Sequence, residues 1–395
     1  MNNFILSVLI PTRNRQRYAE AAVRGILAID SDIQIVIQDN SDDMSLRSRL
    51  SDVIERFQIK YNYVAERLAS IDNFNQAAEL ADGEYVIAIG DDDILLPNAA
   101  SCARWMKRNG IDLLSPKREA TYRWPDDNSK KFLNRVGYLL YMKARAGMRG
   151  INTKRAVVSL IKDGGYDYFS KDLAGTYHCI ASKKCMDIIK KTTGRYYGGL
   201  SPDMYSAVCL SLIPGVKAVE IGFPVSILGI CPTSTSADEK GSNVFGELSK
   251  APHFIGMKTE YDWDGRIMPV YCPETIWAET MVKAVCLMGN EELVGKYFDA
   301  HMVNQRAFTS HENLRDMIQE LCPNENFILD GETVNPKASS RLKWAMTKFN
   351  MAIVGQELFV PCCRDIGMAV SSIMAKWKRD GTMNRWKELV RTDYK

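Results

Sequence analysis

Three consecutive carboxylates stand directly after a short apolar run, and their chemistry makes them the strongest candidate site in the sequence. Asp91, Asp92 and Asp93 follow Gly90 at the end of the apolar residues 85–89. Clustered carboxylates repel one another unless a cation or solvent compensates their charge. Hard oxygen ligands suit Mg²⁺ or Mn²⁺, which usually also bind substrate phosphates. The alternative is an acidic helix start, where capping and the helix dipole favour aspartate.

Strand-like and helix-like segments alternate through the first hundred residues, and their order defines the fold class. Apolar runs predict strands at residues 4–10, 33–37, 59–64 and 85–89. Helical spacing of apolar residues predicts helices at residues 17–28, 46–57 and 71–80, with Pro97 in the first turn of another. This alternation predicts an α/β fold with a mostly parallel sheet and helices on both faces.

Polar clusters follow three of the predicted strands, at the point where each strand ends. They occupy residues 12–14, 39–41 and 91–93. In parallel α/β sheets, ligands bind outside the carboxyl ends of the strands. Each cluster alone could be a solvated turn, but three clusters at three strand ends predict one binding site and favour the metal interpretation of the carboxylates.

The pattern after residue 110 is less regular. Strands are predicted at residues 111–114 and 176–181, a helix at 202–212, and helical structure from about residue 272 onward. The polar residues 125–131 indicate a loop. Residues 231–250 hold Ser, Thr, Gly and charges with little apolar content, which predicts a mobile loop.

The composition bounds the class of protein. The 395 residues are 46% hydrophobic and 25% charged, a globular composition with room for two or three domains. The net charge of +3 gives no reason to expect nucleic acid as a partner. Residues 4–10 lack the flanks of a signal peptide, and no stretch approaches the ~20 apolar residues of a membrane span. Ten scattered cysteines without a CxxC pair predict reduced thiols and a cytoplasmic location.

The last segment of the chain is basic. Residues 339–395 carry 11 Lys and Arg against 5 Asp and Glu, a net charge of +6, with Trp344, Trp377 and Trp386 among them. A basic amphipathic helix with tryptophan can lie on an anionic membrane, which would place the protein at the inner face of the membrane. The alternatives are a solvated helical appendage and a homo-oligomer interface whose aromatic residues are core.

Three motifs together carry a resemblance to a known family. The opening SVLIPTRN at residues 7–14 resembles the SVIIPTYN start of the family 2 glycosyltransferases. QDNS at residues 38–41 resembles their DDxS turn after the second strand. GEYV at residues 83–86, followed by the three aspartates and Pro97, resembles their GEYI…DxD…P segment. Order and spacing match over roughly the first 115 residues.

The resemblance implies a GT-A fold, a Rossmann-like mostly parallel sheet flanked by helices, with a helical C-terminal appendage. The implied organisation is a nucleotide-sugar-binding half at residues 1–115, an acceptor-binding half at 116–255 and a helical region at 256–395. The implied activity is metal-dependent, inverting transfer of a sugar from a nucleotide-sugar to an acceptor hydroxyl. The expected donor is a UDP-sugar, and the expected acceptor is a glycan or a lipid-linked glycan of a surface polysaccharide.

The family's donor-site roles fall on matching residues. The implied nucleotide-binding residues are Pro11, Thr12, Arg13, Asn14, Asp39, Asn73, Asp91 and Asp92. Asp39 matches the contact to the base, and Asn73, with nearby Asn75, matches a looser contact to base or ribose. Asp91 would face the ribose, Asp92 would ligate Mn²⁺ or Mg²⁺, and Asp93 would support the site or share the metal. Many family members carry Asp in place of Gly90, so these three roles can shift by one position.

The second half of the chain should supply a general base. Ser201-Pro202-Asp203 resembles the family's segment that opens a helix near the acceptor, so Asp203 is the predicted base. Ser201 as a cap, Pro202 at the first helical position and Asp203 at the dipole give a structural alternative that is compatible with this role.

Histidine is scarce in this sequence. His253 follows the polar loop and is a candidate further metal ligand, with a surface or core position as the alternative. His178 is either core or acceptor-facing. His301 and His311 carry no predicted role.

Two rival functions are weaker. A sugar-nucleotide pyrophosphorylase would open with a Gly-rich GGxGTRL-like loop after the first strand, and residues 11–15 contain no glycine. A non-catalytic nucleotide- or glycan-binding protein on the same scaffold would be supported by loss of the metal carboxylates, and these are present. Weak hydrolysis of a UDP-sugar would separate an enzyme from a binding protein.

Overall fold

The computed structural model describes residues 4–116, 120–142, 147–234, 245–329 and 357–394. Part of the predicted mobile loop, residues 235–244, and Trp344 lie outside these ranges. Within them, no helix combines the length and the apolar character needed to cross a membrane.

The described elements follow the predicted alternation in the first half of the chain. The strands are β1 Leu6–Thr12, β2 Ile33–Asp39, β3 Ile59–Tyr63, β4 Tyr85–Ala88, β5 Ile94–Leu95, β6 Leu113–Pro116, β7 Ala120–Arg123, β8 Tyr138–Met142, β9 Met148–Gly150, β10 Ile180–Ser182, β11 Ala218–Ile221, β12 Ser226–Ile230, β13 Gly246–Glu247, β14 Val270–Tyr271 and β15 Glu357–Pro361. The helices are α1 Gln16–Leu27, α2 Ser45–Arg49, α3 Ser70–Glu79, α4 Ala99–Asn109, α5 Phe132–Val136, α6 Thr153–Lys162, α7 Lys183–Thr193, α8 Pro202–Ser211, α9 Pro273–Leu287, α10 Glu291–Tyr297, α11 Ala300–Ser310, α12 Arg315–Leu321, α13 Ile366–Arg379 and α14 Thr382–Arg391.

A central sheet confirms the predicted α/β class. Its eight strands run in the order β3-β2-β1-β4-β10-β6-β11-β9. The strands β3, β2, β1 and β4 are parallel to one another, and β6 is parallel to β11. The strand β10 pairs antiparallel with β4 and β6, and β9 pairs antiparallel with β11. Thr12 at the end of β1 is in register with Asp39 at the end of β2, so the carboxyl ends of these strands share one edge. A second sheet has the order β15-β8-β7-β12-β5.

Helices cover both faces of the central sheet, as predicted. Side chains alternate between the faces of a strand, so Val8 and Ile10 of β1 pack with Val23 of α1 on one face. Leu9 packs on the other face, with the cluster that includes Ala77 of α3. Strands buried on both faces need nearly continuous apolar sequence, which explains the uninterrupted run in β1.

The described helices of the basic C-terminal segment pack into this core, which corrects the membrane-facing interpretation for two of its three tryptophans, Trp377 and Trp386. The side chains of Trp377 in α13 and Trp386 in α14 are buried against Phe223. The Trp377 Nε1–H donates to the Tyr141 hydroxyl over 2.5 Å. Both rings therefore anchor the C-terminal helices to the protein and are unavailable to lipid.

Three local predictions differ from the structure. The predicted helix at 46–57 ends early, because α2 stops at Arg49 and the following residues form turns that lead into β3. The predicted strand at 176–181 reduces to β10, because His178 has a φ of +55°, which interrupts an extended chain. Pro97 precedes α4 and lies outside its first turn, with Asn98 as the capping residue.

Candidate functional site

The three predicted polar clusters meet at the carboxyl edge of the central sheet. The Thr12 hydroxyl donates to Asp91 Oδ2 over 2.7 Å. The backbone N–H of Asn40 donates to the Thr12 carbonyl over 3.0 Å. The parallel register of β2, β1 and β4 brings their ends together, so the predicted site is a single locus.

The turn after β1 and the turn after β2 are locked to each other. Arg13 donates to the Asn40 carbonyl and pairs with Asp42, both over 2.5 Å. Asn14 adopts a φ of +56° and donates its N–H to the Ser41 hydroxyl over 2.9 Å. Asparagine tolerates this left-handed conformation better than most residues. Arg13 and Asn14 therefore hold together the two turns that border the site. Nucleotide binding by Pro11 to Asn14 stays a prediction.

Asp91 is buried beside a single cation. Its Oδ1 lies 3.1 Å from Arg15 Nη1, and the same guanidinium donates through Nη2 to the Thr233 carbonyl over 2.5 Å. Burial raises the pKa of Asp91 to about 6, and the Asp92 charge adds to this, while Arg15 and the Thr12 hydroxyl oppose it. Arg15 does not fully compensate the carboxylate, so an additional cation would stabilise its charged form.

Asp92 is held by the loop that follows β12. Its Oδ2 accepts from the backbone N–H of Cys231 over 3.0 Å and from the Ser234 hydroxyl. Its carbonyl accepts from Trp124 Nε1 over 2.9 Å. Gly229 lies against that carbonyl, since a Cβ there would approach the oxygen to 1.7 Å. The remaining oxygen, Oδ1, is 3.9 Å from Arg15 Nη1 and is the carboxylate oxygen with the fewest partners in the cluster.

Asp93 points into the protein. Its Oδ1 accepts from the backbone N–H of Gly229 over 2.6 Å, and its Oδ2 accepts from that of Gly90 over 2.6 Å. His178 Nε2 and the Tyr177 hydroxyl lie 3.1 and 3.2 Å from Oδ2. With both oxygens engaged and no exposed surface, the side chain is suited to supporting the site. Of the two roles predicted for Asp93, the geometry favours support over sharing the metal.

The aspartate cluster fits a divalent cation. Among the described residues, the buried carboxylates of Asp91 and Asp92 share one guanidinium, that of Arg15, so this pair carries excess negative charge. Buried charges of one sign need an opposite charge or an ion. Oxygen donors select Mg²⁺ or Mn²⁺ over softer metals. Asp92, with Asp91 beside it, is the residue that could hold such an ion.

Asp203, the predicted base, lies at the start of α8. Its Oδ1 accepts from the Ser201 hydroxyl over 2.5 Å, and its Oδ2 accepts from the Tyr168 hydroxyl. Burial, together with the Asp203 charge, raises the pKa of Tyr168 well above its usual range, so the phenol stays a donor. The Ser201 hydroxyl does not cap the helix, which corrects that alternative, although Pro202 does occupy the first turn.

Tyr177 links the predicted base to the aspartates. Burial first, and then the charges of Asp93, Asp92 and Asp203, raise the pKa of this phenol well above its usual range. The Tyr177 hydroxyl donates to Asp93 Oδ2 over 3.2 Å, and the adjacent Thr176 hydroxyl lies 3.2 Å from that of Ser206 in α8, the helix that carries Asp203. The structure thus brings the predicted base and the strand-end aspartates into one region, although residues 93 and 203 are distant in sequence.

Two of the predicted base- and ribose-binding side chains have different surroundings. Asp39 is fully buried, with Oδ1 accepting from the Ser41 N–H over 2.9 Å and Oδ2 from the Tyr61 hydroxyl over 2.6 Å. The geometry gives Asp39 a turn-forming role, and a nucleotide contact there remains a prediction. Asn73 donates to the Thr12 carbonyl over 3.4 Å, and its Oδ1 is buried without a hydrogen-bond partner among the described residues.

Asn75 and His253 lie away from the aspartates. Asn75 bonds to the backbone of residues 196 and 197 through both ends of its amide, so it anchors α3, and a contact of Asn75 to base or ribose remains a prediction. His253 packs edge-on against Tyr271, with 5.6 Å between ring centroids. Burial lowers the pKa of His253, which favours the neutral ring. Its described contacts do not join it to Asp92, so metal ligation by His253 remains a prediction.

Sequence reasoning missed Arg15, Tyr177 and the 229–234 segment. Arg15 carried a usable signal, because it directly follows the Pro11–Asn14 turn that was already assigned to the site. The other two had no local signal, since their roles depend on contacts between distant parts of the chain. His178, left open between core and acceptor, bonds through Nδ1 to Ser226 over 2.8 Å and belongs to the support of Asp93.

Comparison with known sequences confirms the predicted resemblance in the N-terminal part. Residues 7–158 match the family described as Glycosyl transferase family 2. The putative colanic acid biosynthesis glycosyl transferase WcaA of Escherichia coli (strain K12) is 31% identical over 102 residues. That match covers 25% of this chain and 37% of the relative, so the chain spans little more than a third of the length of this curated relative.

Solved structures of similar shape are distant in sequence. TarS 1–349 of S. aureus in complex with UDP-GlcNAc is 13% identical, with 79% of this chain and 77% of that chain covered and a TM-score of 0.46. The mannosyltransferase PcManGT from Pyrobaculum calidifontis, in complex with GDP-Man and Mn²⁺, is 11% identical, with 95% and 88% covered and a TM-score of 0.39. Both likenesses are too low for residue roles to be carried over.

Proposed function

With residues 7–158 matching the family 2 glycosyltransferases, we propose that this chain transfers a sugar from a nucleotide-sugar to an acceptor hydroxyl. One observation supports this most strongly: the Tyr177 hydroxyl donates to Asp93 over 3.2 Å, and the adjacent Thr176 hydroxyl lies 3.2 Å from that of Ser206 in α8, the helix whose first turn carries Asp203. Sugar transfer needs a base for the acceptor and a site that tolerates a charged leaving group. This arrangement supplies both within one region.

In the proposed reaction, Asp203 takes the proton from the acceptor hydroxyl as its oxygen attacks the anomeric carbon. The bond to the nucleoside diphosphate breaks in the same displacement, so the configuration inverts. The hydroxyls of Ser201 and Tyr168 fix the carboxylate by donating to one oxygen each. A base fixed from two sides loses little orientational freedom in the transition state.

The donor would bind at the carboxyl edge of the sheet. Asp92 and Asp91 would hold Mn²⁺ or Mg²⁺, and such an ion, when bound, stabilises the charge that develops on the diphosphate. Arg15 contacts both the Asp91 carboxylate and the Thr233 carbonyl, so it would set the position of the 231–234 loop at the donor. The unpartnered Oδ1 of Asn73 is a suitable acceptor for a ribose hydroxyl.

We predict that a nucleoside diphosphate stabilises the protein only when a divalent ion is present. At ~100 times its dissociation constant, a ligand adds ~2.7 kcal/mol to the free energy of unfolding. Thermal unfolding with UDP, GDP and dTDP, each with and without Mn²⁺, measures this effect. UDP with Mn²⁺ is the expected stabilising pair.

The control for this measurement is Asp92→Ala, in which the stabilisation should disappear. Stabilisation by GDP or dTDP in place of UDP would keep the transferase class and change the donor. If no nucleotide shifts the wild-type transition with metal, the proposed donor site is wrong. Binding without any hydrolysis of nucleotide-sugar would favour the alternative, a non-catalytic binding protein.

An aromatic surface beside Asp203, exposed at Tyr166 and Phe169 and buried at Tyr168, favours a saccharide acceptor. We define this aromatic surface as Tyr166, Tyr168, Phe169 and Trp277. The ring of Phe169 lies 4.0 Å from that of Tyr168, which bonds to Asp203, and Phe169 is 65% exposed. Exposed aromatic groups next to a site mark ligand-binding grooves, and flat rings suit the apolar faces of sugar rings.

We therefore predict that Phe169→Ala raises the KM for a saccharide acceptor by about fivefold, since an aromatic contact with the bound sugar contributes on the order of 1 kcal/mol. Hydrolysis of the donor without acceptor should stay unchanged, because the described ring contact of Phe169 is with Tyr168 and not with the aspartates. Transfer to a panel of oligosaccharides, measured alongside donor hydrolysis, separates the two effects. Phe132→Ala removes an equally exposed ring elsewhere and is the matched control. An unchanged acceptor KM in Phe169→Ala would contradict the assignment.

A further inference from the structure

A second set of metal-ligand side chains lies away from the aspartates. Cys272 immediately precedes α9, Glu274 is in the first turn of that helix, and His311 follows α11. One potential ligand atom from each side chain lies within 4.8 Å of the others. His311 Nε2 and Glu274 Oε2 are 2.8 Å apart. We call these three residues the Cys–Glu–His cluster.

We propose that the Cys–Glu–His cluster binds one zinc ion. Sulfur, nitrogen and carboxylate oxygen are the ligand types that Zn²⁺ takes in proteins. Three protein ligands leave one position of a tetrahedral ion for water. The thiolate sulfur distinguishes this cluster from the all-oxygen aspartate site, which selects harder ions such as Mg²⁺ or Mn²⁺.

Burial and charge support an ion at this place. Cys272 is fully buried, Glu274 nearly so, and the His311 side chain is 15% exposed. A thiolate and a carboxylate together carry two negative charges, which a divalent ion with a neutral imidazole compensates completely. Such neutrality matters where solvent is largely excluded, because an unpaired buried charge is costly. The cluster also draws its ligands from two separate segments, which fixes their relative position when an ion binds.

The competing interpretation is an ion pair with a capping residue. Glu274 and His311 alone form a hydrogen-bonded pair, and the Cys272 sulfur lies 3.4 Å from the Thr275 hydroxyl at the helix start. This arrangement needs no metal and predicts no thiolate-dependent binding of zinc at the cluster. Only the zinc proposal predicts that the wild-type protein binds zinc at this cluster and that removing the Cys272 sulfur abolishes this affinity.

Zinc at this cluster would position the acceptor side of the molecule. The cluster joins the start of α9 to the end of α11, and α9 carries Trp277 of the aromatic surface. Tyr271, adjacent to Cys272, contacts Phe245 and His253. An ion here would therefore fix α9 relative to the segment 245–254, which includes the end of the predicted loop. This role is structural and independent of the sugar-transfer chemistry.

Metal titration of the full chain tests the proposal. After removal of metal with a chelator, Co²⁺ serves as a spectroscopic probe, because a cobalt–thiolate bond gives a charge-transfer absorption that oxygen ligands lack. We expect one equivalent of Zn²⁺ to displace the cobalt and to raise the melting temperature. Cys272→Ser should abolish the thiolate absorption and weaken zinc binding at least about tenfold, whereas the control Cys286→Ser should leave both unchanged.

A second variant keeps the test decisive if Cys272→Ser folds poorly. His311→Gln preserves a hydrogen bond to Glu274 and removes the nitrogen ligand, so it should also lose zinc affinity. Asp92→Ala should retain the zinc site and lose only metal-dependent nucleotide binding, so failure of one proposal is separable from failure of the other. A thiolate absorption that persists in Cys272→Ser, or zinc affinity equal in wild type and His311→Gln, would overturn the assignment.

Discussion

Asp203→Asn is expected to reduce the turnover of sugar transfer by about 10²–10⁴-fold while leaving the fold and donor binding intact. A positioned general base contributes this much to a proton-transfer step. Asparagine keeps the size of the side chain: its amide oxygen accepts from one of the hydroxyls of Ser201 and Tyr168, and the other hydroxyl can turn to accept from the NH₂ group, so local packing should survive. It loses the ability to accept the acceptor's proton. Steady-state kinetics with a nucleotide-sugar and an active acceptor, compared with the metal-dependent nucleotide melting shift, measure the two properties separately.

Asp167→Asn is the matched control for this experiment. Asp167 is an exposed carboxylate directly before Tyr168, and its φ of +52° is a conformation that asparagine also tolerates. Its loss should change turnover little. Near-normal turnover in the Asp203→Asn protein would remove Asp203 as the base. Loss of nucleotide binding in that variant would instead indicate that Asp203 belongs to the donor site.

The meeting of polar residues at one edge of the sheet could be predicted from the sequence, because the relevant signals are local and periodic. Apolar runs define β1, β2 and β4, and parallel pairing forces their carboxyl ends to one edge. The polar residues after each run must then meet, as Thr12 and Asp91 do. No information beyond strand order and parallel direction is needed for that inference.

The partners of each carboxylate could not be predicted in this way. Asp93 is satisfied by Gly90, Gly229 and the Tyr177–His178 pair, which come from three parts of the chain. His178 has a positive φ where the pair contacts Asp93, and the presence of a histidine in a sequence does not predict that conformation. The sequence alone therefore does not determine which of the three adjacent aspartates faces inward.

The spacing of apolar residues around Trp377 predicts that it is buried, whereas the net charge of the segment does not. The buried residues of α13 are Ile366, Ala369, Ile373 and Trp377, spaced at three and four residues. That spacing defines one apolar face of a helix, and the lysines and arginines fall on the remaining surface. Charge counted over the whole segment carries no information about faces, whereas the position of the tryptophan relative to the apolar stripe does.

Asp92→Asn is expected to abolish the metal dependence of nucleotide binding and to lower turnover by about 10³-fold. A metal ion contributes several kcal/mol of charge stabilisation in the transition state, and each 1.4 kcal/mol corresponds to a factor of ten. Asparagine retains an acceptor for the Cys231 N–H and the Ser234 hydroxyl, so the loop after β12 should stay in place. Titration with Mn²⁺ at fixed UDP, followed by kinetics at saturating metal, measures both effects. Unchanged turnover in this variant would contradict metal ligation by Asp92.

Asp93→Asn tests whether Asp93 supports the site or ligates the metal. Replacing a supporting carboxylate should lower stability, whereas replacing a metal ligand should lower metal affinity. Both oxygens of Asp93 accept from buried donors, so an amide must turn its NH₂ group towards Gly90 N–H or Gly229 N–H. A buried donor left unpaired costs about 1–3 kcal/mol, which should appear as lower stability in denaturant unfolding. Asp92, with its less engaged Oδ1, should lose metal affinity with little change in stability. The reverse pattern, a destabilised Asp92→Asn and a stable Asp93→Asn that has lost metal affinity, would move the ligand role to Asp93.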